Sequence, residues 1–418
     1  MKDRQAGSYP ILRILYLTQY FPPEVGATQT RAYEMAQGLL RAGHRVTILT
    51  EVPNHPEGVI RPEYRGRFWV RETLDGIEVL RVWVWTSPVK TMRTRLAFYT
   101  TYMLNATLAG LFLARRRYDL LYATSPPLFV GGAALALSFL RGIPMVFEVR
   151  DLWPESAVAL GELQSPRWIR WATWLEERCY ARARRIVVVT EGIRRHLLER
   201  GIPEHKLVLI PNGANTELFR PQPEGGKALR ARLGLGEAFV VLYAGILGIA
   251  QGLETVLEAA HLLRDRPDIR FLLVGDGPCK ADLMRRKEAL GLTHVTFLDG
   301  QPRESMPAYF SAADVALVPL RRLELFRSAV PSKMFDAWAC GCPVLLGIDG
   351  EARSVLEQAQ AGRYVEPEDP QALASAIVQL AAQREACRAL GANGRRFVEA
   401  HYSRQAQAKA LAQLLQEL

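Results

Sequence analysis

Two apolar strand-like runs flank one short helical stretch within residues 315–347, and that spacing restricts the fold more than any other feature. Val315-Ala316-Leu317-Val318-Pro319 and Pro343-Val344-Leu345-Leu346-Gly347 each read as a strand buried on both faces. Between them Met334, Phe335, Trp338 and Ala339 recur at helical spacing, so one helix face covers the sheet. Strand, covering helix and strand make a parallel crossover, the unit of doubly wound α/β sheets. Pro331 suits the first helical turn, where a missing N–H has no intrahelical role. Ser332 and Lys333 then stand near the helix start, where unpaired N–H groups and the dipole favour anions. Asp336 lies one turn on, placed to accept hydrogen bonds from hydroxyls. Gly341 ends the helix.

The same alternation recurs along the chain. Residues 11–17 form a strand, 18–27 a loop, 28–42 a helix and 44–50 a second strand. Further strands are expected at 76–85, 144–149, 186–190 and 206–210. Phe239–Ala244 opens a second set, followed by the glycine-bearing loop 245–252 and a helix. Residues 270–274 lead into Gly275-Asp276-Gly277-Pro278, and Val295–Leu298 follows. A chain of 418 residues is long enough for two domains with substantial cores. The Asn212-Gly213 turn pair marks the boundary.

The 328–344 stretch resembles the donor-site signature of the family 4 retaining glycosyltransferases, which have the GT-B fold. In that family a Glu, seven residues and a second Glu precede an Ala-x-Ala-x-Gly-x-Pro-Val run. Asp336 stands at the second Glu and keeps the carboxylate that holds the nucleotide ribose. Ser328 stands at the first, a departure. Pro331-Ser332-Lys333 is similar to the fucosaminyltransferase-like group of bacterial polysaccharide transferases. The resemblance implies an α/β GT-B architecture of two Rossmann-like, doubly wound domains facing across a cleft. Residues 1–212 would bind the acceptor and 213–399 the nucleotide sugar, with a helix at about 400–418 packing back on the first domain.

Other motifs fit the resemblance in chain order. Gly26, just before a helix, matches the loop glycine that faces the donor. Arg150-Asp151-Leu152-Trp153-Pro154-Glu155-Ser156 follows a strand, where functional residues of open α/β sheets gather. Many relatives carry His-Asp there; Arg150 replaces the His and Asp151 keeps the Asp, a base for the acceptor hydroxyl. Glu155 is a second catalytic candidate. Capping of the next turn and an ion pair with Arg150 are the plain structural alternative for Asp151. In the 245–252 loop the family places Arg after the first Gly and Lys before the last, and both grip the donor diphosphate. Here Ile246 and Gln251 occupy those positions. Gly245, Gln251 and Gly275 remain donor-binding candidates through backbone approach, and Lys333 is the candidate for the absent cation. Arg303 is placed near the base, and Ser332 and Asp336 complete the donor set.

All of the excess charge lies in the first half. Residues 1–212 carry 29 Lys and Arg against 19 Asp and Glu, which accounts for the net +10; residues 213–418 carry 24 of each. A one-sided basic half points to an anionic surface or polymer as partner. Residues 96–114 form an uncharged run bounded by Arg93, Arg95 and the arginines at 115–117. Its length matches a bilayer span, but Thr100, Thr101, Asn105 and Thr107 dilute it and a strand follows at once, so a buried or interfacial helix is expected. Trp168, Trp171 and Trp174 form one helical stripe among six arginines. A core stripe with a solvated basic face is expected, with contact to anionic lipid as the alternative.

Five cysteines without paired spacing suggest neither a disulfide framework nor a zinc site. The polar start MKDRQAGSYP shows no leader. The reading is therefore a cytoplasmic enzyme, peripheral on the inner membrane face, taking a nucleotide-sugar donor and a lipid-linked saccharide acceptor. Neither metal nor other cofactor is expected, nor nucleic acid as partner, since no nucleic-acid-binding signature is present. Two alternatives stay open: a UDP-sugar 2-epimerase or hydrolase of the same fold, and a non-catalytic basic module for anionic polymer.

Overall fold

The computed structural model describes residues 10–418 apart from Val25, Pro56, Lys90, Arg116 and Glu162. The segment on which the expectation of no leader rests lies outside the described residues. The chain divides into two units: one runs to Pro211 and resumes at Gln405–Leu418, the other is Asn212–Arg404.

Unit 1 is built on β1 (Arg13–Leu17), β2 (Arg45–Glu51), β3 (Trp69–Leu74), β4 (Ile77–Val82), β5 (Leu120–Ser125), β6 (Met145–Val149), β7 (Arg185–Val188) and β8 (Leu207–Leu209). They form one sheet in the order β3-β4-β2-β1-β5-β6-β7-β8. All neighbours run parallel except β3 and β4. That antiparallel pair closes through Asp75 and Gly76, with φ of 47° and 82°, the backbone a two-residue hairpin turn needs. The sequence reading took only the second of these strands.

Six helices accompany the sheet: α1 (Ala27–Arg41), α2 (Met92–Phe112), α3 (Phe129–Leu140), α4 (Glu155–Ala159), α5 (Pro166–Arg182) and α6 (Glu191–Glu199). Ala32, Met35, Ala36 and Leu39 of α1 pack on Ile14, Tyr16, Val46 and Ile48, and Leu411, Ala412 and Leu415 join the same core. Each large apolar side chain buried this way contributes about 1.5–3 kcal/mol. A Cβ on Gly38 would lie 2.2 Å from the Ala408 Cβ, so α1 admits only glycine at this helix crossing.

The tryptophan stripe of α5 is not a core stripe. The helix buries Ala172, Leu175, Glu176, Cys179 and Tyr180 instead. Its neighbour α3 comes too close for indoles: a Cβ on Gly131 would meet Cys179 Sγ at 2.8 Å. Trp168 and Trp174 are exposed. Among the described residues no helix is long and apolar enough to cross a membrane.

Unit 2 carries β9 (Phe239–Ala244), β10 (Ile269–Val274), β11 (Val295–Leu298), β12 (Val315–Pro319), β13 (Val344–Gly347) and β14 (Gly362–Tyr364), all parallel in the order β11-β10-β9-β12-β13-β14. Its helices are α7 (Pro223–Arg232), α8 (Glu254–Leu262), α9 (Lys280–Ala289), α10 (Met306–Ala312), α11 (Ser332–Ala339), α12 (Glu351–Ala359), α13 (Pro370–Ala382) and α14 (Arg384–His401). Chain-final α15 (Arg404–Gln416) supplies the Leu411 and Leu415 of unit 1. Two cores lie on the two sheet faces, one around Trp338 and Phe335, the other around Leu257 and Ile377. Trp338 is fully buried, donates its indole N–H to the Ala361 carbonyl at 2.8 Å, and fits against Gly394, where a Cβ would lie 2.6 Å from the ring.

Candidate active site

In unit 2 the loops after β9, β10 and β11 hold one another by backbone hydrogen bonds. Gly245 N–H donates to Val274 (3.0 Å), Gly275 N–H to Leu298 (3.0 Å) and Leu247 N–H to Asp276 (2.9 Å). The approach leaves no room for side chains: a Cβ on Gly275 would sit 1.9 Å from the Gly245 carbonyl oxygen. Both residues have strongly positive φ, 144° and 148°.

Lys333 completes this corner. A Cβ on Gly245 would lie 2.8 Å from its Nζ, so the ammonium rests directly against the glycine backbone. Nζ donates to the Tyr243 hydroxyl, which donates to the Ile246 carbonyl. No acidic partner faces Lys333 among the described residues, and burial pushes its pKa down to about 7. Helix α11 starts at Ser332. Pro331 stands one residue ahead of the expected first turn, because its ψ of 131° is extended and its carbonyl accepts the first helical bond, from Met334 (3.2 Å).

The other donor candidates occupy separate places. Gln251 closes a short 3-10 turn, with Gly252 following in left-handed backbone. Arg303 lies with its guanidinium 5.0 Å from the Phe219 ring centre. Asp336 is partly exposed on α11 and engaged. Asp276, not singled out from sequence, accepts from Lys280 (2.6 Å) and from the Gly300 amide (2.6 Å), tying the β10 loop to the β11 loop. Tyr243 was also missed. A hydroxyl at the end of an otherwise apolar strand was its signal, since buried hydroxyls seek partners.

In unit 1 the β6 end carries Arg150 and Asp151. The Arg150 amide donates to Ser125 (3.0 Å), extending the sheet by one residue. Asp151 Oδ2 accepts from Ser156 Oγ at 2.8 Å, and burial raises its pKa from the ordinary aspartate value. The alternative of an Arg150–Asp151 ion pair has no salt bridge behind it among the described residues, although the Arg150 charge lowers the Asp151 pKa; Glu148 pairs with Arg31 at 2.8 Å, both fully buried. Glu155 hydrogen-bonds His196 (3.1 Å) and pairs with Arg200 (3.4 Å), and Arg200 also holds Glu176 (2.7 Å). That chain ties α4 to α5 and α6, a bracing role. Gly26 directly precedes α1, and its open side is filled by Gln29, whose Oε1 would lie 2.6 Å from an added Cβ.

In unit 1 a small open pocket is lined by Tyr99, Phe129, Trp153, Trp168 and Trp171, with Arg95 at its wall. On α2, Leu104, Leu108 and Phe112 are exposed on the side away from buried Tyr102 and Ala106, and Phe139 and Leu140 are exposed at the end of α3. Arg182 lies over the Phe139 ring and Arg178 over Trp174. Among the described residues no group of three or more His, Cys, Asp or Glu could hold a metal ion.

Two family models match the chain, the glycosyl transferase 4-like domain over residues 26–213 and glycosyl transferases group 1 over residues 227–397. The chain belongs to the family 4-like glycosyltransferases. This glycosyltransferase is 26% identical over 383 residues to an Escherichia coli (strain K12) protein named as a colanic acid biosynthesis glycosyl transferase, WcaI, covering 88% of this chain and 92% of that one. It is 32% identical over 217 residues to a GDP-mannose-dependent alpha-(1-6)-phosphatidylinositol monomannoside mannosyltransferase of Mycolicibacterium smegmatis, or 51% of this chain and 57% of that enzyme. Among solved structures, Anabaena Alr3699/HepE in complex with UDP and glucose matches with TM-score 0.75 at 19% identity, covering 97% and 100% of the two chains. Sucrose-phosphate synthase from Thermosynechococcus elongatus matches with TM-score 0.74 at 22% identity, covering 97% and 98%. The structural likeness establishes the GT-B fold of this glycosyltransferase, with its two Rossmann-like units.

Proposed function

We propose that this glycosyltransferase moves a sugar from a nucleotide diphosphate donor to a hydroxyl of a lipid-linked saccharide, with retained anomeric configuration, in the assembly of a surface polysaccharide or lipopolysaccharide. The observation that carries the reading is the half-buried Lys333 with its ammonium laid against Gly245 and no acidic partner among the described residues. A cation placed so, at a helix start and beside a loop whose glycines admit close backbone approach, suits a diphosphate. It takes the part that the family gives to the two cations replaced here by Ile246 and Gln251. Lys333 stabilises charge on the departing nucleotide, Ser332 and Asp336 orient the donor, and Asp151 accepts the proton of the attacking hydroxyl. Attack on the face the leaving group vacates needs no protein nucleophile, and with Lys333 and backbone amides on the diphosphate the reading calls for no metal.

UDP is the proposed nucleotide of the donor. The UDP and glucose bound by the Anabaena relative support it, while the mycobacterial relative's GDP-mannose makes GDP the competitor. The Pro331-Ser332-Lys333 and Asp151–Ser156 motifs support the fucosaminyltransferase-like group and hence a hexosyl or N-acetylaminosugar donor. The apolar ridge of α2 and α3 with its flanking arginines supports a peripheral seat on the inner membrane face. Thermal shift with UDP, GDP and ADP tests the donor reading. One nucleotide should stabilise the wild type and fail to stabilise Lys333→Met. No shift with any of them would sink it in favour of a binding module. Sugar release or epimerisation without acceptor would favour the hydrolase or epimerase.

A further inference from the structure

One half-buried arginine of unit 1 keeps unused donors. Arg150 follows β6, and its Nε and Nη1 atoms are buried without a hydrogen-bond partner among the described residues. Glu148 does not bond them: its Oε1 takes Arg31 Nε at 2.9 Å, and its Oε2 takes Thr124 Oγ1 at 2.6 Å. Arg31 spends its remaining nitrogens on the Pro211 and Ile210 carbonyls, both at 2.9 Å. Arg150 feels the charges of Glu148 and Asp151, yet neither carboxylate takes its Nε or Nη1 hydrogens, and arginine does not shed its proton to escape that vacancy. Buried polar groups left without partners are rare enough to need an explanation, and a bound anion is one. The adjacent Asp151 is held by Ser156 Oγ at 2.8 Å.

We propose that Arg150 binds a phosphoryl group of the acceptor and so makes this chain select phosphorylated acceptors. Nε and Nη1 together offer three N–H bonds that leave different edges of the guanidinium. A tetrahedral group with several oxygens meets them better than a flat carboxylate, which takes one edge. The proposal rests on the transferase reading for the meaning of acceptor. The phosphoryl group belongs either to a lipid diphosphate or to a soluble sugar phosphate.

Isothermal titration of the full chain with inorganic phosphate, in wild type, Arg150→Gln, Arg150→Lys and Lys333→Met, tests the site without turnover. A binding event kept in Lys333→Met and weakened about tenfold or more in Arg150→Gln is expected. Arg150→Lys, which keeps the charge with fewer fixed donors, should fall between, and it serves if the Gln variant melts early. Binding kept in Arg150→Gln would overturn the proposal. In kinetics, Arg150→Gln should raise KM about tenfold or more for phosphorylated acceptors and spare uncharged ones and the donor. Whichever of polyprenyl diphosphate sugar and sugar phosphate shows that loss names the source. Equal loss on charged and uncharged acceptors would assign Arg150 to packing and overturn the proposal. Absence of any turnover would remove the transferase reading while the phosphate titration still decided Arg150.

Discussion

The Lys333 ammonium nitrogen lies 2.9 Å from the Tyr243 hydroxyl oxygen and 4.2 Å from the centre of the same ring. The ring face attracts the cation and the hydroxyl fixes its direction. Lys333→Met should lower kcat by about 10²–10³, the loss typical of one preorganised charge-stabilising donor. Tyr243→Phe keeps the ring and drops the oxygen, so donor KM should rise about three- to tenfold while kcat stays near wild type. Steady-state kinetics on both variants separates the charge from its positioning.

Donor binding should take up a proton. Burial holds Lys333 at about 7, below its ordinary value, and a bound diphosphate would raise it. Between the two values the complex holds a proton that the unliganded protein lacks. Nucleotide affinity should therefore weaken as pH rises above about 7, by up to about tenfold per pH unit. Calorimetry at pH 8 in buffers of different ionisation enthalpy should find uptake of about one proton, absent in Lys333→Met.

Asp151 has the opposite sense. Its carboxyl is raised by burial and lowered by the Ser156 hydrogen bond, and a base must be ionised to act. Turnover should fall as pH drops through the raised value. Ser156→Ala removes a bond to the ionised form and should move that acid limb to higher pH. Asp151→Asn should cut kcat by about 10²–10⁴. A pH–rate profile measures all three.

Gly275→Ala would place a methyl 1.9 Å from the Gly245 carbonyl, in a backbone that already disfavours alanine. A destabilisation of about 2–4 kcal/mol is expected. Because the same contact shapes the Lys333 corner, nucleotide-induced thermal shift should vanish along with the lost stability. Differential scanning with and without nucleotide reads both.

Vesicle binding follows from the ridge of Leu108, Phe112 and Phe139 beside Arg178 and Arg182. The protein should sediment with anionic vesicles at low salt and release at high salt. Leu108→Glu with Phe112→Glu should weaken that binding about tenfold or more without lowering activity on a water-soluble acceptor.

The strands were legible because a parallel sheet covered on both faces demands continuous apolar runs, as in Phe239–Ala244 and Val315–Pro319. β3 was not: Trp69–Leu74 alternates exposed and half-buried residues at the sheet edge, and only Asp75-Gly76 signalled its hairpin. The donor corner was legible as glycines and a lysine on separate loops. Its organiser, Tyr243, was hidden within an apolar strand, because only the fold sets that hydroxyl beside Lys333. The α5 tryptophans misled for a related reason. Their spacing gives a stripe, but the thinness of Gly131 and Gly132 on the neighbouring α3 decides which side turns inward.

The crossing segments of unit 2 lie side by side, with the Ala214 amide donating to Tyr402 at 3.0 Å and the Arg404 amide to Ala214 at 2.8 Å. A ribosome therefore releases the α15 leucines that finish the first core only after residues 212–404 have been made. The opening half of a nascent chain must wait with part of its interior uncovered. A stop codon shortly before residue 405 would strand it there, whereas the inserted half, closed at its own neck, draws both of its cores from its own residues.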